Sequence, residues 1–187
     1  AQVTIYHENG EVADRASDRF GIRSLEFSPE FGLKLNGKKV LLKGIANHHT
    51  LGALGAAAYP RAIEKRIQLL KEFGVNHIRT SHNPYSKEFM NLCDEYGIYV
   101  TAEANIESHG MGYGERTLAK NPIYHDAHIE RNQNNVYAFK NHPSVVVWSL
   151  GNEAGYGKNF EDAYDWIKSS DPSRPVHYEQ AGQNGKT

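Results

Sequence analysis

The stretch VVVWSLGNEAGYG, Val145 to Gly157, drives three β-branched residues and a tryptophan straight into Gly151-Asn152-Glu153. The apolar run has the length of a strand, and its composition suits burial on both faces. An amide and a carboxylate at the point where such a strand stops do not belong in a core. They belong at the rim of a sheet, where a rigid strand presents side chains to a ligand. Gly151 permits a bend or a close backbone approach just before them.

The same rhythm extends in both directions. KVLLKGIA (39–46) is a continuous apolar run of strand length. RAIEKRIQLLKEFG (61–74) follows, with Ile63, Ile67, Leu70 and Phe73 on one helical face and Gly74 as a stop. VNHIRTS (75–81) reads as a strand, SKEFMNLCDEYG (86–97) as a helix and IYVTAE (98–103) as a strand. HDAHIERNQNNVYAFKNHP (125–143) is a helix ending before Pro143, SVVVWSL (144–150) a strand, FEDAYDWIKSSDPS (160–173) a helix and PVHYEQ (175–180) a strand. Helices between buried strands predict βαβ units and a parallel sheet, either doubly wound or a (β/α)8 barrel.

Polar residues gather at the strand ends: Asn47-His48-His49, Arg79 to His82, Glu103 to His109, Asn152-Glu153 and Tyr178-Glu179. That placement describes the active face of a barrel. About five strands are visible, whereas a whole barrel takes about 250 residues. The fold class is therefore α/β, a partial (β/α)8 TIM barrel of about the first five strands. Before it, residues 1 to about 25 alternate apolar and polar around Glu8-Asn9-Gly10, which predicts antiparallel strands. LKLNGKKVLLKG (33–44) reads as a hairpin turning at Asn36-Gly37.

Composition narrows the function. The 187 residues carry 21 Lys+Arg against 22 Asp+Glu, with no long run of either sign. No nucleic acid and no membrane surface are expected as partners. No apolar stretch approaches the ~20 residues of a membrane span, and no signal peptide opens the chain. The single cysteine, Cys93, excludes an intramolecular disulfide, and its place beside Phe89, Leu92 and Tyr96 predicts a buried packing role.

Two glycine-bearing stretches imitate nucleotide loops and fail. GLKLNGKK (32–39) has Lys39 where a phosphate loop needs serine or threonine, and GMGYGE (110–115) lacks the dinucleotide glycine spacing. His48 and His49, adjacent on a strand, face opposite ways and do not serve one metal. One reading packs and hydrogen-bonds them structurally; the other has a histidine donating to a substrate hydroxyl. Arg79 in a buried strand needs a partner, with Glu103 and Glu107 as candidates. It either orients a catalytic acid or locks two strands together. His82, before the Asn83-Pro84 turn, is a candidate substrate contact.

Glu103, Asn105, Glu107 and His109 alternate, so they point to one side while the chain stays extended. Two carboxylates and an imidazole suit magnesium or manganese, and a solvated charged loop is the plain alternative. Asn152 suits hydrogen bonding to a sugar hydroxyl. Glu153, held at the rim and partly desolvated, suits a proton donor, although a structural glutamate is the commoner case.

Three segments carry a resemblance: KNHPSVVVWSLGNE (140–153), NHIRTSHNP (76–84) and EANIESHGM (103–111). Together they resemble glycoside hydrolase family 2, most closely its β-galactosidase branch, from about Phe20 onward. The resemblance implies a retaining glycosidase cleaving terminal β-D-galactosides, with Glu153 as general acid/base and Asn152 contacting the sugar. It implies His48 and His82 in the sugar pocket, Arg79, Glu103 and Trp148 in support, and Mg2+ held by Glu107, His109 and Glu153. Residues 1–25 would be the end of an immunoglobulin-like β-sandwich, and 26–187 the N-terminal part of the catalytic barrel. The parent enzyme is a candidate homo-oligomer.

A retaining glycosidase needs two carboxylates about 5–5.5 Å apart. In the family the nucleophile lies on a later barrel strand, beyond Thr187, and Glu179 matches a structural position. On this reading the chain alone is expected to be inactive, and its open sheet edges to promote self-association. Thr50 stands where relatives with this His-His pair often carry aspartate, which bears on local substrate hydrogen bonding and not on the fold. The alternatives are a β-glucuronidase or β-mannosidase of the same family, an inactive sugar-binding fragment, and a metal-dependent hydrolase built on Glu107 and His109. EANIESHGM favours the galactoside.

Overall fold

A computed structural model of the chain describes residues 1–182, 185 and 186; the expected barrel span thus includes three residues, 183, 184 and 187, that lie outside the described ones. Strands β1 (Gln2–Tyr6) and β2 (Val12–Ser17) pair antiparallel around the expected turn, where Gly10 N donates to His7 O (2.9 Å). β3 (Leu25–Ser28), β4 (Gly32–Leu35) and β5 (Lys38–Val40) form a separate antiparallel sheet. Its second turn is Asn36-Gly37, at φ 50° and 75°, the conformation that a two-residue hairpin requires.

The run 39–46 is not one strand. It breaks at residues 41–43, so that Val40 closes the antiparallel sheet and Gly44 opens a parallel one. Asn76 is the cause: its Oδ1 accepts from Lys43 N (2.7 Å) and its Nδ2 donates to Leu41 O (2.9 Å). A side chain here satisfies backbone groups that a continuing ladder would have used.

Five parallel strands follow: β6 (Gly44–His48), β7 (His77–Ser81), β8 (Tyr99–Glu103), β9 (Val145–Ser149) and β10 (Val176–His177), paired strictly in chain order. Helices α1 (Pro60–Glu72), α2 (Lys87–Tyr96), α3 (His125–Phe139) and α4 (Lys158–Ser170) separate them. A doubly wound sheet reverses its strand order; a barrel does not. The architecture is therefore an open part of a (β/α)8 barrel. The last strand is shorter than PVHYEQ suggests. Among the described residues, no helix is long and apolar enough to cross a membrane.

The two sheet faces differ. One carries Ile78, Val100, Trp148 and Leu150 into a core with Ile63, Ile67, Met90, Cys93, Phe160 and Ile167 from the helices. Burying each larger aliphatic there contributes about 1.5–3 kcal/mol. The segment 86–97 forms α2 as expected, and its ends are capped: Ser86 Oγ accepts from Phe89 N (3.3 Å), and Gly97 closes it in the left-handed conformation. Phe73, expected on the buried face of α1, is 85% exposed, because the helix ends at Glu72.

The register places His77, Arg79, Thr101, Glu103, Ser149 and His177 on the other face, the barrel interior. Near its base, His77 Nε2 lies 2.8 Å from Thr101 Oγ1, and burial pulls the imidazole pKa from 6.5 to about 4.

Candidate active site

The C-terminal ends of the parallel strands converge on Glu103. This carboxylate is fully buried and accepts three bonds: from Arg79 Nε (2.6 Å), from Ser149 Oγ (2.6 Å) and from His82 Nδ1 (2.7 Å). Arg79 and His82 come from β7 and the residue just after it and Ser149 from β9, so this one side chain of β8 ties the three strands together at the rim. A buried carboxylate is tolerated only when paired in this way. Glu103, rather than Glu107, is thus the partner that Arg79 needed. With Nδ1 bound to Glu103, His82 keeps Nε2 for a ligand.

Arg79 reaches further. Its NH2 donates to Asn152 Oδ1 (2.9 Å), while Asn152 Nδ2 donates to Glu107 Oε1 (3.0 Å). Both ends of the buried amide are fixed, and one Nδ2 hydrogen remains for a ligand. His48 stands edge-on to His82, ring centroids 5.2 Å apart. His49 points away from them and packs against Tyr85 (5.6 Å), as alternation on a strand requires.

Glu153 lies at the outer edge, its side chain 52% exposed, more open to water than the sequence suggested. Its backbone has φ 41°, a conformation that costs a non-glycine residue about 1–2 kcal/mol. His109 Nδ1 lies 3.6 Å from Glu107 Oε1 and 3.9 Å from Glu153 Oε2. One donor atom from each of these three residues falls within 4.8 Å of the others. Two like charges and an imidazole so close suit a hard divalent cation with mostly oxygen ligands. Asn105 does not join them: the chain bends there, and Asn105 is exposed.

Trp148 is not at the site. It faces the helices, fully buried, and its Nε1 donates to Asp171 Oδ2 (2.8 Å). It stiffens β9 from behind.

Two glycines let the segments after β8 and β9 approach. Gly151, at φ 153°, lies so near Ile106 that a Cβ would come within 2.6 Å of its carbonyl oxygen, and Asn152 N donates to that oxygen (2.8 Å). A Cβ on Gly155, at φ 69°, would meet Thr117 Oγ1 at 2.3 Å, and Thr117 Oγ1 donates to Ala154 O (2.6 Å).

Sequence reasoning passed over Tyr113 and gave Glu179 only a structural place. Tyr113 is half exposed; desolvation, and next the charge of Glu153, raise its phenol above the ordinary value. Glu179 Oε1 accepts from Glu153 N (2.6 Å). The signal for Glu179 was present, since Tyr178-Glu179-Gln180 is one more polar cluster after a strand.

Comparison with known proteins gives this arrangement its relatives. The family model described as "Glycosyl hydrolases family 2, TIM barrel domain" matches residues 30–186. A β-galactosidase of Lactococcus lactis is 42% identical over 178 residues, and one of Vibrio vulnificus is 42% identical over 182. These matches take in 95% and 97% of this chain, but the chain spans only 18% of the length of each relative. Among solved structures, a β-glycosidase from Bacteroides vulgatus matches with TM-score 0.78 and 35% identity, over 94% of this chain and 22% of that one. A β-glucuronidase from Ruminococcus gnavus in complex with D-glucuronic acid matches with TM-score 0.76 and 28% identity, over 92% and 29%.

Proposed function

The chain belongs to the family 2 glycosyl hydrolases, and from that premise we propose that the protein carrying it is a retaining β-glycosidase acting on terminal β-D-galactosides, with Glu153 as general acid/base. The observation that carries the reading is the setting of Glu153: a carboxylate beyond a rigid strand, beside an amide whose two ends are fixed by Arg79 and Glu107. Glu153 protonates the departing glycosidic oxygen while a nucleophilic carboxylate attacks the anomeric carbon; it then takes a proton from the water that frees the sugar with retained configuration. Glu107 is bonded to Asn152 and Glu179 to the Glu153 backbone, so neither is assigned as nucleophile. By the resemblance, that role belongs to a later barrel strand.

The chain's other residues bind and orient. His82 offers Nε2 to a sugar hydroxyl, His48 flanks it, and Asn152 offers its remaining amide hydrogen. Arg79 and Glu103 hold these groups in place, and Trp148 braces their strand. Residues 1–25 are assigned to the end of a β-sandwich domain. Glu107, His109 and Glu153 would hold magnesium, which when bound supplies a fixed positive charge beside the acid/base group.

Relatives named as β-galactosidases support the galactoside. The glucuronidase neighbour keeps a second reading, a β-glucuronidase. The test is turnover of aryl β-galactoside, β-glucuronide and β-mannoside by the full-length protein. Galactoside is expected to turn over fastest, and Glu153→Gln to cut its rate about 10²–10⁴-fold. Faster glucuronide turnover would establish the second reading; full activity in Glu153→Gln would remove the acid/base assignment.

A further inference from the structure

The backbone around Glu153 is held by three consecutive side chains from the segment after β10. Glu153 N donates to Glu179 Oε1 (2.6 Å), Ala154 N to Tyr178 Oη (3.1 Å) and Gly155 N to Gln180 Oε1 (2.6 Å). Tyr178 closes the clamp by donating to Gly155 O (2.6 Å). Three N–H groups in a row, all accepted by side chains of one tripeptide, fix both the direction and the twist of the segment.

Glu179 acts at the strained residue itself. A non-glycine residue at positive φ persists only where its surroundings over-determine it. The φ of 41° decides where Glu153 sends its side chain, which is toward Glu107 and His109. The second Glu179 oxygen lies 3.8 Å from Arg79 NH2, so the clamp also connects to the group that fixes Asn152. The Glu179 side chain is 30% exposed, so replacing it does not open a hole in the core.

Resting on the assignment of Glu153 as acid/base, we propose that Glu179 is a positioning residue for that group. By accepting the Glu153 N–H it holds the strained backbone that aims the proton donor at the departing oxygen. It touches no substrate and transfers no proton.

The test exploits the leaving group. From a 2,4-dinitrophenyl glycoside the dinitrophenolate leaves without protonation, whereas the alkoxide of an alkyl glycoside must be protonated by the acid as it leaves. Substitutions are made in the full-length protein, with the sugar that the parent turns over. Glu179→Ala is expected to slow alkyl glycoside cleavage about 100-fold, the cost of a small misplacement, and to leave the bond-breaking step on the dinitrophenyl glycoside within about threefold of the parent. Glu179→Gln keeps an oxygen acceptor and is expected to restore the alkyl rate. If Glu179→Ala does not fold, Glu179→Asp, which withdraws the acceptor by one methylene, is expected to give the same split at smaller size. Equal loss on both leaving groups, or no loss, overturns the proposal. Glu153→Ala is the control: if it shows no dependence on leaving group, the acid/base reading fails instead, whatever Glu179 does.

Discussion

Two carboxylates close to the end of the sheet live in opposite surroundings. Glu103, in the wall, is fully buried and accepts from an arginine, a histidine and a serine. Glu153, at the rim, is half exposed and sits on strained backbone beside Glu107 and His109. In the wall every charge is matched within the protein, and its work is to orient other groups. At the rim, negative charge is concentrated without full internal compensation, which leaves it free to act on something from outside. A folded chain tolerates the second arrangement because the first holds the frame around it.

The largest effect that would break this contrast is a stability difference. Glu103→Ala strips the carboxylate from Arg79 and His82 together and is expected to cost about 3–5 kcal/mol. Glu107→Ala, on a side chain 36% exposed, should cost under about 1 kcal/mol. Thermal melting of the two variants beside the parent would show it; equal losses would mean that the wall and the rim are not distinct.

Next in size is an acid effect from the base of the barrel. His77 has its pKa pulled from 6.5 to about 4 by burial, so the folded state keeps the ring neutral. Above pH 6.5 the ring is neutral in both states. As pH falls from 6.5 toward 4, the unfolded chain takes up a proton that the fold refuses, and stability drops by up to about 3 kcal/mol. His128, also lowered by burial, adds in the same direction. Denaturant midpoints across this range should flatten in His77→Asn; an unchanged slope would count against His77 as its source.

The smallest effect sharpens the rim. If the full-length protein is the glycosidase proposed above, chelation of divalent cations is expected to weaken its turnover on the order of tenfold, about 1.4 kcal/mol. Complete loss would favour a metal-dependent hydrolase, and no change would leave Glu107 and His109 without a metal role.

Much of this was legible in the sequence because it is local. The Asn36-Gly37 turn, the extent of α2 up to Gly97 and the burial of Cys93 follow from neighbours within a few positions. The polar strand ends, read from their positions alone, do meet at one end of the sheet. What was hidden depends on register between distant segments. Asn76 interrupts the run at 41–43 from more than thirty positions away. The direction of Trp148 was fixed by which strand face met the helices, and alternation alone does not say which face that is. The bond from Glu153 to Glu179 spans 26 positions and exists only once β9 and β10 lie side by side.

The close approach at Gly151 and Gly155 has a consequence for how such a site changes over time. The segments after β8 and β9 share a bridge at Glu107 and Asn152 and a threonine latch at Thr117, so they behave as one part, not two. Residues 110–114, with no glycine but Gly112 at positive φ and open space around each of their glycines, lie outside that joint and can vary in length to reshape the mouth. An insertion near Thr117 would instead carry Glu153 with it. New specificities should therefore be written into the first stretch, while the second stays with the chemistry.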